Sequence, residues 1–424
     1  MKSLYCASAS PDPKSRSYLC TLFVVASLIC SAYFIGGSFI GKEYKERLAR
    51  WQVIETVQST KSTNCEDQCK PTGTKALPQG IVRKTSDFEM RPLWNSSLED
   101  NKQKLSKSLL ALAVGINQKV VVDQIVKKVL VNPGHLFGFK NFLTIFLLIF
   151  IILVQFPLSD FVVMLFHYDG VVDKWRDLPW SDHAIHVSAV NQTKWWFAKR
   201  FLHPDIVSEY DYLFLWDEDL GVENFNPKRY LSIIRDEGLE ISQPALDPTK
   251  SAVYHPITAR QPKSTVHRRI YKFKGSGRCY GNSTSPPCIG WVEMMAPVFS
   301  TAAWRCAWHM IQNDLIHAWG LDFQLGYCAQ GDRTKNVGVV DSEYIVHLGL
   351  LTLGVFNGTE SNSNSDTQGG LPQKQPSEPH VVDNRVQVRK QSSVEMQIFL
   401  DRWKNAAKED KCWVDPFQQN QTSN

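Results

Sequence analysis

Residues 211–222 read DYLFLWDEDLGV, and this stretch decides the fold. Five apolar residues, Tyr212 to Trp216, run without a break into Asp217, Glu218 and Asp219. A continuous apolar run of this length, rich in aromatics, is the pattern of a strand buried on both faces. A carboxylate at the end of such a strand is costly to bury unless a cation pairs with it. Three in succession mark either a solvated strand-to-loop turn, with Asp219 as a cap, or a cation site. Alternate residues of an extended chain point the same way, which aims Asp217 and Asp219 at one target and Glu218 elsewhere. Hard cations such as Mg2+ and Mn2+ prefer carboxylate oxygens. Ligands of open α/β sheets bind beyond the carboxyl ends of the strands.

Outward from this stretch, strands are expected at Leu109–Val114, Phe161–Phe166 and Ala184–Val190, and helices at Val120–Val131, Lys194–Leu202 and Pro227–Asp236. Strands alternating with helices predict an α/β fold, a Rossmann-type mixed sheet, mainly parallel, flanked by helices. Further on, WVEMMAPVFS (Trp291–Ser300) reads as a strand into a turn, followed by a Trp-rich helix over Thr301–Ala318. Residues 357–392, rich in Ser, Asn, Gln and Pro, read as a disordered linker. An amphipathic helix over Val394–Lys408 opens a closing segment, 393–424.

Residues 18–40 carry no charge and are long enough to span a hydrocarbon core of about 30 Å. A cleaved signal peptide has a shorter apolar region, roughly 7–15 residues, so an uncleaved signal anchor is expected. Basic residues flank both ends and leave orientation open. Asn-x-Ser/Thr sites at Asn95, Asn191, Asn282, Asn357 and Asn420 all follow the span and favour a lumenal body. So do the cysteines after it, of which Cys279 and Cys288 bracket the loop CYGNSTSPPC as a disulfide would. The expected plan is a cytosolic tail (1–17), a span (18–40), a stem (41–106) and a lumenal domain (107–356). The +5 net charge is modest and Lys and Arg are spread along the chain, which argues against a nucleic-acid partner. Residues 141–159 are a second uncharged apolar segment. Spanning a membrane there would put the two halves of one sheet in opposite compartments, so a span and a single folded domain are incompatible readings of this segment.

Other candidates follow in the chain. Asp322, in AWGLDFQLGYC, comes after a Trp-Gly turn where an acid can serve as general base toward a sugar hydroxyl, or as a helix cap. His347 ends the apolar EYIVHLG and is a candidate third metal ligand, or a structural His. The basic run HRRIYKFKGSGR (267–278) can meet phosphate or solvent; its glycines lack the spacing of a dinucleotide fingerprint. A metal on Asp217, Asp219 and His347 can hold the diphosphate of a nucleotide sugar and neutralise the leaving group.

The blocks MLFHYDG, HVSAVNQTKWWFAKRFLHPD, FLWDEDLGVENF, LEISQPALDP, GWVEMMAPVFS and DLIHAWGLDFQLGYCAQGDRTKNVGVVDSEYIVHLG occur in order over 107–354. They resemble a plant family of unknown function whose members often carry the label lysine-ketoglutarate reductase trans-splicing related. No residue supports the amino-acid metabolism that the label implies. The family is similar to the GT-A glycosyltransferases, which implies a nucleotide-sugar site at the acid cluster. On that similarity Asp217, Glu218 and Asp219 bind the cofactor, Asp217, Asp219 and His347 hold Mn2+ or Mg2+, and Asp322 is the base of an inverting transfer. A UDP-sugar is the expected donor, a glycan or glycoprotein the acceptor, and the Golgi the site of a type II membrane protein. The alternative is a non-catalytic lumenal scaffold or glycan-binding protein on the same fold. The chain departs from the family over 132–159, an atypical hydrophobic insertion where members of the family pass from the first helix almost directly into FVVMLFHYDG.

Overall fold

The computed structural model of the chain describes residues 70–82, 106–130, 160–275, 277–350 and 385–417. Every residue of Ser108–Val114 (β1) is buried, and the side chains divide by parity. Leu109, Ala111 and Ala113 enter one core, Leu110, Leu112 and Val114 the other. The later strands are Phe161–His167 (β2), Ile185–Ser188 (β3), Tyr212–Trp216 (β4), Leu220–Gly221 (β5), Ile241–Leu246 (β6), Val266–His267 (β7), Val298–Ser300 (β8) and Val337–His347 (β9). β4 divides as β1 does, with Leu213 and Leu215 facing one core, Phe214 and Trp216 the other. Strands buried on both faces need helices on both faces. Lys119–Leu130 (α1) and Pro227–Asp236 (α3) cover one side. Lys194–Phe201 (α2), Thr301–Met310 (α4) and Arg385–Glu409 (α6) cover the other, and Arg333–Asn336 (α5) leads into β9.

The sheet order is β3–β2–β1–β4–β8–β6–β9–β5, with β7 also on β9. β1, β2, β3 and β4 are mutually parallel. β8 runs antiparallel to both β4 and β6, and β6 is parallel to β9. The two reversals cancel, so β1, β2, β4, β6 and β9 all end at one edge. That edge carries the candidate site. The sheet is therefore mixed, with its one reversed strand of the central run at β8.

Several expectations change here. The strand expected over Trp291–Ser300 is confined to Val298–Ser300, because the chain before it bonds irregularly to the end of β4, Asp217 N donating to Met295 O at 2.8 Å. The helix expected to reach Ala318 stops at Met310, where Ile311 turns extended before the polar Gln312-Asn313-Asp314. Part of the stem belongs to the body. Leu77 and Ile81 are fully buried among Phe399, Trp403 and Ala406 of α6. Gly80 lies so close to that helix that a Cβ would come within 2.9 Å of the Ala406 side chain. Trp413 Nε1 donates to Ala76 O at 2.9 Å, and Gln79 N to an Asp410 carboxylate at 2.8 Å. The linker assigned to 357–392 gives residues 385–392 to α6. Residues 18–40, 141–159 and 357–384 lie outside the described residues, and among the described ones no helix is long and apolar enough to cross a membrane. The Cys279–Cys288 disulfide is present, as is a second, Cys306–Cys328, tying α4 to the turn beyond Asp322.

Candidate functional site

Asp217 follows β4 directly, and its Oδ1 accepts from Lys194 Nζ at 2.6 Å. Lys194 is the first residue of α2, after the Thr193 cap, where a cation opposes the helix dipole. It is held there by acceptors: besides Asp217, the ammonium donates to Met294 O at 2.6 Å. Its side chain is 9% exposed against 33% for Asp217. Burial pushes the Asp217 carboxyl above the usual range, and Lys194 works against that push.

Asp219 is brought to His347 by the smallest element of the sheet. β5 begins at the next residue and pairs Leu220 with His347, at the end of β9. Leu348 N then donates to Asp219 O at 3.0 Å, and Leu350 N to Asp219 Oδ2 at 3.1 Å. His347 Nε2 stands 3.4 Å from the same Oδ2, and this carboxylate raises the imidazole's pKa above its ordinary value. Glu218 points away from both, as alternation requires, and accepts from the Tyr168 hydroxyl at 2.9 Å. Burial, then the charge of Asp217, lifts its carboxyl to about 7.

Two more carboxyls share this region. Asp322 lies in a 3-10 turn after Gly320, whose φ of 91° only glycine adopts readily. Burial lifts Asp322 to about 6, although Phe323 N donates to its Oδ1 at 3.1 Å. The Trp291 indole N–H is buried and makes no hydrogen bond. Glu293 went unnoticed in the sequence. Its backbone N donates to Gln243 Oε1 at 2.5 Å, its Oε2 is buried without a partner, and burial lifts the carboxyl to about 7. His347, Asp217, Asp322 and Lys194 all act on it electrostatically.

The fold thus gathers Lys194, Asp217, Asp219, Glu293, Asp322 and His347 from five separate stretches of chain. Lys194 had a signal in the sequence, a cation at an unfavourable helix start. Glu293 had a weaker one, a lone acid in the apolar run GWVEMM. Among the described residues no three His, Cys, Asp or Glu side chains converge as a self-sufficient metal site. Asp219 offers the kind of carboxylate that Mg2+ takes beside phosphate oxygens and water, whereas the His347 imidazole, its pKa raised by Asp219, must give up its proton before it can join as a ligand. Asp217 is engaged by Lys194 instead. A separate concavity of about 370 Å3, bordered by Lys128, Arg229 and Glu343, lies away from this cluster. Its Glu343 is already bound by Arg229 Nε at 3.1 Å and Asn226 N at 2.6 Å.

A family model described as protein of unknown function (DUF707) matches residues 68–141 and 148–409. The break between the two stretches falls inside the apolar segment 141–159, and the match takes in both the buried 70–82 segment and α6. No curated protein matches the chain.

Proposed function

We propose that this chain, which belongs to the DUF707 family of proteins of unknown function, is a metal-dependent glycosyltransferase of GT-A type using a nucleotide-sugar donor in the secretory lumen. The observation that carries the reading is the gathering of Asp219, His347, Glu293 and Asp322 at the carboxyl edge of the sheet, where α/β folds bind ligands. The raised carboxyls of Glu293 and Asp322 are of the kind that gathers at functional sites. Asp219 and His347 would hold Mn2+ or Mg2+, which when bound neutralises the donor's diphosphate. Lys194 anchors Asp217 and adds positive charge beside the same region. Asp322, raised to about 6, is ionised near neutral pH and suited to take the proton of an acceptor hydroxyl, as inversion requires. The disulfides and the exposure of Asn191 and Asn282 support a lumenal body.

Titration of UDP into the full chain in detergent, with and without Mn2+, tests the site. Binding is expected to need Mn2+ and to be lost in Asp219→Ala and His347→Ala. Affinity indifferent to both metal and mutations would sink the proposal. The Lys194–Asp217 pair favours a second reading, a non-catalytic scaffold, because an internal cation already meets Asp217's need for charge. On that reading Asp219→Ala leaves function in cells intact.

A further inference from the structure

The chain from Arg269 to Ile289 forms a disulfide-braced hairpin. Lys272 and Cys279 exchange backbone hydrogen bonds at 3.0 and 2.8 Å, and Ile270 N donates to Cys288 O at 3.1 Å. Alternation then sorts the side chains. Ile270 and Cys279 face inward and pack with Cys288 and Trp291. Tyr271, opposite Tyr280, and Phe273 face outward and are 62%, 42% and 64% exposed. The Tyr271 and Phe273 rings stack with centroids 6.4 Å apart, and Phe273 and Tyr280 are 6.1 Å apart. Lys274, Gly275, Gly277 and Arg278 carry no large apolar side chain, so the exposed rings lie on the strands of the hairpin. A clustered, exposed aromatic face on a rigid support calls for an occupant.

An attachment point follows Tyr280 by two residues in the chain. Ser283 N donates to Tyr280 O at 3.1 Å, and Tyr280 N to Ser283 Oγ at 3.0 Å. These bonds close a β-turn with Asn282 at its third position. Asn282 is exposed and begins the glycosylation signal Asn282-Ser283-Thr284. Arg269 Nη1 donates to Tyr280 O at 2.8 Å and fixes the turn's first residue. A sugar on Asn282 Nδ2 therefore starts two residues from the Tyr280 ring. We propose that Asn282 carries an N-linked glycan whose first sugars lie on the Tyr280–Phe273–Tyr271 face, covering the rings and stiffening the hairpin. In the transfer, Asn282 Nδ2 forms a bond to the anomeric carbon of a lipid-linked oligosaccharide. The anomeric C–O bond breaks, the lipid diphosphate leaves with its electron pair, and the amide gives up one proton. The apolar C–H faces of the sugar then replace water on the rings.

The inference shares with the proposed function only passage through the secretory compartment, and uses none of the residues at the carboxyl edge. The full chain is made in a secretory host and mapped by peptide mass spectrometry. Asn282 is expected to be occupied, and Asn282→Gln to lower Tm by roughly 2–4 °C. In a Tyr271→Ala/Phe273→Ala/Tyr280→Ala background the same substitution is expected to cost nothing, since the face is gone. Occupied Asn191 with bare Asn282 would overturn the inference and leave the lumenal body standing. Equal losses of Tm in the two backgrounds would also overturn it, by showing a glycan that does not touch the rings. The UDP titration reads the carboxyl edge independently of either outcome.

Discussion

Glu293 Oε2 is buried with no partner, and its carboxyl is held near 7 against an ordinary 4.5. A raised folded-state value means that the native state keeps a proton the unfolded chain gives up. The stabilising contribution is then full below about 4.5 and lost as pH rises through about 7. Glu293→Gln cannot ionise, so its Tm should gain on the parent's across that window, by an amount equivalent to about 3 kcal/mol. A Tm difference that stays flat with pH would show that the carboxyl is not held protonated. Asp322 makes a separate prediction. If it takes the acceptor proton, Asp322→Asn lowers kcat by about 10²–10⁴-fold while the UDP affinity measured with Mn2+ is unchanged. Loss of UDP binding instead would make Asp322 a support of the donor site. At this scale the sequence was partly legible. Asp217, Asp219 and His347 stood out because acids and a His end apolar strands, whereas Glu293 and Lys194 owe their importance to what surrounds them in space.

The elements were legible where local chemistry agrees with tertiary demand. α3 was read to its exact bounds because Asn226 caps it, accepting from Arg229 N at 3.0 Å, and Pro227 opens it at a position that needs no N–H. Asn226→Ala should cost about 1 kcal/mol in denaturant unfolding, with the slope unchanged. A neutral result would mean that Pro227 and packing fix the helix start without the cap. β6 was missed because Pro244 argues against a strand. The fold accommodates that proline at a register shift between Pro244 and Ala245, where the β6–β9 ladder is already interrupted. β5 has only two residues, too short for any periodicity, yet its pairing with β9 is what sets Asp219 against His347.

At the scale of the whole molecule, the body extends beyond the residues that carry the strands. Leu77 and Ile81 fill the same core as α6, and Gln312 Nε2 donates to Ile81 O at 3.1 Å. A chain beginning at Lys107 should therefore lose cooperative unfolding, while one beginning at residue 68 keeps it; equal transitions would show that the 70–82 segment is dispensable. Neither the stem's composition nor its prolines announce this docking, because the apolar residues concerned are few and gain their burial only from α6. The α/β class, most strands and helices, the acid cluster and the first disulfide are legible in the amino-acid sequence. Each of these is written in local periodicity, in capping residues, or in spacing along a single stretch. That β8 runs reversed, that 70–82 and α6 complete the core, and that Lys194, Glu293 and Asp322 share a region with Asp219 and His347 emerges from the folded chain alone. Those outcomes depend on contacts between residues far apart in the chain, whose burial and charge exist only once the sheet has formed.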